Sequence, residues 1–474
     1  MTYIMGIDNG SQSTKVVLFD TQGREYASGS CQLRTPLTPE PGMVVHPEED
    51  LWDSLQQAVA ACLEDFTGDR EAIAAIGLCT IRSCRVLLQA DGSLAQPVLS
   101  WMDERLAAPY RHEDDRVAYV TSTSGYLGLR LTGEKKDTYA NYEVNWPLDR
   151  RTMNWSNEAQ VLKDNGVTRN MLFDLVQPGE ALGTLKPELA EQFGLPQNLP
   201  VVATANDKAV EVLGSGVSKE TTAMISLGTF ISAMVYRKED FSGASQFFPT
   251  LAAEPFRYVY ESNGIRRGMW TVSWFKQLLG AELTAGARDD ESEEDVLNRR
   301  AEAVPAGSGG LITVLDWLAS PALPYRRGMM IGFDERHTAG HMYRSILEAI
   351  AFDMKNNLDA LLEESGGRLE ALVIAGGGAR SEVMMQILAD VFGLPASRRK
   401  AKSSACLGSA ISASVYLGLY DTFHDAQDQM ITTEAVFHPN HERHQFYTEM
   451  NEQVVRHARS YTDPLLEKAH ALFR

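Results

Sequence analysis

No GxxxxGK[ST] stretch occurs anywhere in the 474 residues, which excludes the P-loop mode of phosphate binding. Cysteine is scarce: five residues (Cys31, Cys62, Cys79, Cys84, Cys406), odd in number, scattered and without a CxxC pair. That pattern argues against a disulfide framework and fits reduced core thiols in a cytosolic protein. Basic residues are outnumbered, 44 Lys and Arg against 63 Asp and Glu, for a formal net charge of −19. Nucleic acid and anionic membranes favour the opposite sign, so neither is an expected partner. Long apolar runs are missing too. The best window, residues 222–236, is too short and interrupted to span a bilayer, and the start carries no basic segment followed by an apolar one. The expectation is a soluble, cytoplasmic protein. His438, His441 and His444 are closely spaced, but HPNHERH reads as a turn and helix start rather than a zinc site.

What is present is ordinary globular composition, 44% hydrophobic and 23% charged, in a chain long enough for two domains of about 200 residues each. The most informative stretch is MGIDNGSQSTKVVLFD, residues 5–20. An apolar run ends in Asp8, a polar loop follows (Asn9, Gly10, Ser11, Gln12, Ser13, Thr14), and a second apolar run starts beyond Lys15, as in a two-stranded hairpin. Gly10 and its neighbours offer a dense set of N–H and hydroxyl donors for a polyphosphate. Asp8 suits Mg²⁺ held partly through water. An ordinary polar turn has the same residues.

A third strand is predicted over 25–33, a loop over 35–47, and then a helix with an apolar face at Leu51, Leu55, Ala58, Val59, Cys62 and Leu63. Residues 73–79 and 86–89 read as adjacent strands, joined by TIRSCR, which puts Arg82 and Arg85 at strand ends where α/β sheets bind ligands. In LSWMDER, the ring of Trp101 and the charges of Asp103 and Arg105 suit a polyhydroxylated ligand, although a half-buried tryptophan beside a surface ion pair looks the same. Further on, a buried strand over 201–205 leads to Asn206, Asp207 and a helix. Asp207 therefore lies at a strand's end and a helix N-terminus, where capping alone explains a carboxylate.

At ISLGTFISAMVY the opening theme returns: apolar run, Gly228-Thr229 turn, apolar run. Such internal duplication is a fold-level clue. The second half then carries a helix over 269–279, a glycine loop at 306–310, a long core helix over 342–362, and a strand followed by Gly376, Gly377, Gly378 and a helix starting near Ser381. Bare glycine backbone before a helix N-terminus admits a planar or anionic group. SSACLGSAISASVYLGLY reads as a tightly packing small-residue helix, and 421–474 as helical and polar.

The loop at Asp8, Asp207 after a buried strand, the Gly228-Thr229 hairpin and the GGGARS turn stand together in an order that resembles the FGGY carbohydrate kinase family, as does GMMIGFDERHTAGHMYRSILEAIAFD from Gly328. The resemblance covers nearly the whole chain. It implies an α/β fold of two actin-like (ribonuclease H-like) domains, mixed sheets flanked by helices, with a ligand cleft between residues 1–217, the sugar-binding domain, and 218–474, the ATP-binding domain. It implies ATP bound by Gly10, Gln12, Ser13, Thr14, Gly228, Thr229, Gly376, Gly377, Gly378 and Ser381, and Mg²⁺ at Asp8. The sugar would lie by Arg82, Trp101, Asp103 and Arg105, with Asp207 as catalytic base. Homodimerisation is a family-level expectation.

The chain also departs from the family. Ile81-Arg82-Ser83 replaces the Gln-Met-His type sequence of many pentulose kinases, and Arg82 is similar to the arginine of glycerol kinases. The chain is short between Arg105 and Tyr126, and DWLASPALPYRRG (316–328) replaces the GER-Pro segment. A ketose or polyol is the expected substrate. Arg82 and Arg85 raise an acidic sugar as an alternative, and the same fold serves ATP-dependent switches. A dinucleotide dehydrogenase needs a βαβ fingerprint that is not present.

Overall fold

The computed structural model describes residues 1–143, 145–285, 287–288, 291–320 and 322–473. Val144 and Pro321, inside two stretches read above, and Arg474, at the end of the tail, lie outside the described residues.

Two sheets form the frame. In the first, β1 (Tyr3–Asn9), β2 (Ser13–Asp20), β3 (Glu25–Gln32), β4 (Ile73–Thr80), β5 (Ala181–Thr184) and β6 (Pro200–Asn206) lie in the order β5-β6-β4-β1-β2-β3. β1, β4 and β6 run parallel, and β2, β3 and β5 are antiparallel to their neighbours. β1 and the second half of β2 are buried on both faces, because helices cover both sides of the sheet. The first helix, α1 (Asp50–Asp65), lays Leu51, Leu55, Ala58, Val59, Cys62 and Leu63 on one side. After β6 the chain enters α2 (Asp207–Gly214).

The second sheet repeats the plan. β7 (Thr222–Leu227), β8 (Ile231–Arg237), β9 (Phe247–Leu251), β10 (Tyr258–Ser262), β11 (Ala371–Ala375), β12 (Ala396–Arg399) and β13 (Thr433–Phe437) lie in the order β9-β10-β8-β7-β11-β12-β13. β7 pairs in parallel with β11 as β1 does with β4, and antiparallel with β8 as β1 does with β2. Between β10 and β11 runs the helix α3 (Ala339–Ser365), and α4 (Glu382–Phe392) follows β11.

The small-residue helix α5 (Ser404–Tyr416) joins the halves. It belongs to the second half in sequence yet packs on the first sheet so closely that a Cβ on Gly6 would sit 2.0 Å from the Cys406 carbonyl oxygen, and one on Gly77 2.1 Å from that of Ser409. Ile4, Val17, Phe19 and Ala75 of the first sheet share one apolar core with Leu407, Ala410 and Ile411.

Two expectations are corrected. Val86–Leu88 is not beside β4; it pairs antiparallel with Tyr119–Thr121 in a separate ribbon. β1 and β6 occupy both edges of β4, so no edge is left for it. The tail is not wholly helical: β13 pairs antiparallel with β12 at the sheet's edge, as a short edge strand whose pattern is too brief to read.

Candidate active site

β1 and β2 are joined by Gly10, Ser11 and Gln12, the turn being closed by a hydrogen bond from the Gly10 N–H to the Ser13 carbonyl (3.2 Å). Gln12 is exposed and Gly10 and Ser13 are half-buried. Thr14 is fully buried, its hydroxyl 2.6 Å from Asn9 Nδ2 and 2.7 Å from Ser54 Oγ, so its side chain braces the hairpin and does not face the loop. Asp8 lies opposite Lys15 in β2 and Cys79 in β4. Among the described residues no hydrogen-bond donor reaches its carboxylate. Burial pushes that carboxyl up to about 7; Lys15 draws it down, while Asp207 and Glu211 add to the rise.

Asp207 opens α2, but it is not the cap. Asn206 holds that position, its side chain accepting the Ala209 N–H at 3.0 Å. The role that would have explained Asp207 as structure is therefore filled by its neighbour. Asp207 keeps 27% of its side chain exposed and stands 3.9 Å from Arg82 Nε. Arg82 follows β4, reaches across to the second half and donates from Nη2 to Glu261 Oε2 of β10 at 2.5 Å. Ser232 Oγ donates to the other Glu261 oxygen at 2.7 Å. Glu143 is held nearby by Asn206 Nδ2 (3.2 Å) and the Thr250 hydroxyl. One turn into α2, Lys208 Nζ meets Glu211 at 3.1 Å, and Ser226 Oγ donates to Glu211 at 2.9 Å.

Loss of water raises the Asp207 carboxyl above its ordinary value, with Arg82 and Lys208 pulling it back. Burial raises Glu143 as well. For Glu261 burial acts in the same direction, but the Arg82 charge and its hydrogen bonds win and hold it low. Arg82 thus sits among Asp207, Glu143 and Glu261, with Nη1 buried and without a hydrogen-bond partner among the described residues.

Gly228, Thr229 and Phe230 turn β7 into β8. The Gly228 and Thr229 carbonyls accept from Met269 (3.1 Å) and Gly268 (2.8 Å) at the start of the helix Gly268–Leu279. The glycine run lies against the same turn. Gly376 has φ 82, and a Cβ there would meet the Leu227 carbonyl oxygen at 2.6 Å; that position admits only glycine. Gly377 is exposed with nothing within 4 Å of a Cβ, whereas Gly378 packs on the Leu227 side chain. Ser381 caps α4 through the Met384 N–H (3.2 Å) and donates to Asn298 (2.7 Å).

The structure therefore brings Asp8, Arg82 and Asp207 together at the seam between the halves, and the Gly228 turn together with Gly376, Gly377 and Gly378. Trp101 is 50% exposed. The Asp103 and Arg105 side chains close on each other instead of forming an open pair: Asp103 accepts from the Arg105 guanidinium (2.8 and 2.7 Å), the Arg105 N–H (3.0 Å) and the Val44 N–H (2.8 Å). Sequence reading missed Glu143, Lys208, Glu211 and Glu261. Only Glu261 left a trace, as the carboxylate in the apolar strand YVYES. A separate cavity of about 550 Å³ lies between the glycine loop 306–310 and Phe446, Met450 and Val454, away from the charged cluster.

Family comparisons agree with this geometry. The N-terminal domain model of the FGGY family of carbohydrate kinases matches residues 3–114 and 110–214, and the C-terminal domain model matches 223–417. The chain is 45% identical over 469 residues to the uncharacterized sugar kinase YgcE of Escherichia coli K12, covering 99% of this chain and 95% of that one. It is 24% identical to the xylulose kinase of Bacillus subtilis, over 94% and 95% of the two chains. Its fold matches the ligand-bound xylulose kinase of Lactobacillus acidophilus with a TM-score of 0.84 at 20% identity, covering 99% and 100% of the two chains. With a repeated actin-like frame, a carboxylate beside an arginine at the seam and both family domains matched between residues 3 and 417, the chain belongs to the FGGY family of carbohydrate kinases.

Proposed function

We propose that this sugar kinase transfers the γ-phosphoryl group of ATP to a hydroxyl of a polyhydroxylated acceptor, with Asp207 as general base. Residues 1–217 hold the acceptor and 218–474 the nucleotide. The observation that carries this reading is Asp207 itself: released from capping by Asn206, raised in pKa and set 3.9 Å from Arg82.

A sugar hydroxyl is a weak nucleophile until its proton has somewhere to go. Asp207 accepts that proton as the oxygen attacks, and its raised pKa makes it a better acceptor than an ordinary carboxylate. The Arg82 charge draws the Asp207 pKa back down and so favours the ionised form that can accept a proton; Glu261 holds Arg82 by its hydrogen bond and Glu143 adds a nearby negative charge. The turn at Gly10 and the bare backbone at Gly228 and Gly377 present N–H groups to phosphate oxygens, where charge builds up in phosphoryl transfer. Asp8, without a hydrogen-bond donor among the described residues and raised by burial and then by the charges of Asp207 and Glu211, is a carboxylate that a divalent cation would relieve. Mg²⁺ there would supply neutralising charge to the phosphates, with Asp8 its ligand. The half-exposed Trp101 ring offers a face for sugar C–H surface.

The experiment is ADP release from Mg·ATP with and without a panel of ketoses, polyols, aldoses and sugar acids, with mass spectrometry of the product. Acceptor-dependent ADP release with a matching phosphorylated sugar is the expected outcome. ATP binding without acceptor-stimulated turnover on any member, sugar acids included, would favour a switch of the same fold.

A further inference from the structure

Arg85 is a buried arginine without an ion pair among the described residues; the Asp103 carboxylate, itself held by Arg105, acts on it only from beyond ion-pair distance. Arg85 follows Arg82 by three residues and is 4% exposed. Its guanidinium carbon lies 6.0 Å from the centre of the Tyr110 ring and 5.6 Å from that of Trp146. It gives a single hydrogen bond, from Nη2 to the Ala108 carbonyl (3.2 Å), and its Nε is buried without a partner. The other deeply buried arginines differ: Arg344 pairs with Glu348 and Tyr447, and Arg237 donates to the carbonyls of Glu220, Tyr236 and Gly366. A charged fork removed from water and left mostly unmet is costly, so Arg85, three residues from Arg82 and with a single side-chain hydrogen bond among the described residues, calls for a ligand. Burial lowers the Arg85 pKa to about 10, which leaves it cationic at neutral pH.

Its surroundings separate it from Arg82. Arg82 is surrounded by Asp207, Glu143 and Glu261, and an anion placed there would meet three like charges. Arg85 meets two aromatic faces. The segment after Tyr139 carries Glu143 toward Arg82 and Trp146 over Arg85, so the two sites are neighbours along one stretch of backbone. Ala108 and Tyr110 come from the segment after Arg105, which is short for the family.

We infer that Arg85, Tyr110 and Trp146 form a subsite for a carboxylate on the acceptor, so that this kinase acts on a sugar acid. This rests on the reading of Asp207 as the base of a sugar kinase. A planar guanidinium fork matches a carboxylate bidentately, and the aromatic walls exclude competing water. A neutral polyol of the same length leaves the buried donors unpaired, a mismatch that discriminates by about 10²-fold or more.

The test uses the full chain, wild type and the variants Arg85→Gln, Arg85→Lys and Asp207→Asn, each checked for a cooperative melt. Acceptors are aldonates, the alditols and ketoses of equal length, and the corresponding terminal phosphates. Turnover and the shift in Tm without ATP are both read. The expected result is a wild-type kcat/KM at least about 10²-fold higher for an aldonate than for its alditol. That ratio collapses in Arg85→Gln, mainly through KM, and is partly kept in Arg85→Lys. The aldonate raises Tm in Asp207→Asn but not in Arg85→Gln. Alditols, ketoses or sugar phosphates as the best acceptors, or an unchanged aldonate-to-alditol ratio in Arg85→Gln, would overturn the proposal. If no acceptor turns over yet aldonates raise Tm in wild type and not in Arg85→Gln, the kinase reading fails and the carboxylate subsite stands. If aldonates neither turn over nor raise Tm in folded wild type, the subsite fails.

Discussion

At the end of β1 the chain carries a carboxylate, Asp8; near the end of β7, the strand in the same place of the second sheet, it carries a hydroxyl, Ser226. The contrast continues along both sheets. β4 leads into Arg82, whereas β11, its counterpart, leads into Gly376, Gly377 and Gly378. β6 delivers Asn206 and Asp207. One strand order has therefore been furnished in two ways. The first half puts Asp8, Arg82 and Asp207 at its strand ends, with Arg82 set between Asp207 and Glu261 of the second half; at the matching ends of β7 and β11 the second half puts the Gly228 turn and bare glycine backbone. Side chains suit proton transfer and selection of an acceptor, while glycine backbone suits a group that is bound by N–H donors and needs close approach. A duplicated frame allows that division because each half is folded by its own sheet and the glycine contacts of α5 fix the two together.

The comparison is broken most severely at Arg82. Arg82→Ala strands Glu261, whose side chain is only 6% exposed, and removing one partner of such a pair costs about 3–5 kcal/mol; chemical denaturation measures it. The milder Arg82→Gln should shift the acid limb of kcat/KM. Asp207 must be ionised to accept a proton, so the rate falls as pH drops through its raised pKa, and Arg82 lowers that pKa. Loss of the positive charge therefore moves the fall to higher pH and leaves the alkaline side unchanged. In the bare half, Gly376→Ala forces a side chain into φ 82 against the Leu227 carbonyl and should cost about 2–3 kcal/mol. Thr14→Val should cost about 1–2 kcal/mol by taking one hydrogen bond from each of the Asn9 and Ser54 side chains, which keep only the Leu51 carbonyl among the described residues, with nucleotide affinity unchanged, because that hydroxyl faces inward. Smallest on stability is Gly377→Ala, under about 0.5 kcal/mol in its open position, yet titration calorimetry should show weaker nucleotide binding.

The parts legible in the sequence were those written locally. Asp8 in its polar turn, Asp207 between strand and helix, and the three glycines after a strand each occupy a few consecutive residues. Their order also gave the two-half frame. What sequence could not show depends on distant partners. Glu261 meets Arg82 across 179 positions, and nothing around it predicts that. The Asp103 and Arg105 pair looked available for a ligand, and only the fold shows its hydrogen bonds already made. Arg85 was read together with Arg82 as a strand-end arginine, and what separates the two, three carboxylates around Arg82 and aromatic rings around Arg85, is visible only once everything else is placed. Val86–Leu88 was set beside β4 because the two apolar runs are consecutive, whereas both edges of β4 were taken by strands far away in sequence.

The central claim is that Asp207 takes the acceptor's proton, and the most direct measurement is the steady-state rate of Asp207→Asn on the best acceptor, with ATP and acceptor binding measured alongside. A fall in kcat of about 10²-fold or more, with both affinities within a few fold of wild type, is the predicted result. Near-normal acceptor-dependent turnover in that variant would contradict it and remove Asp207 from the chemistry.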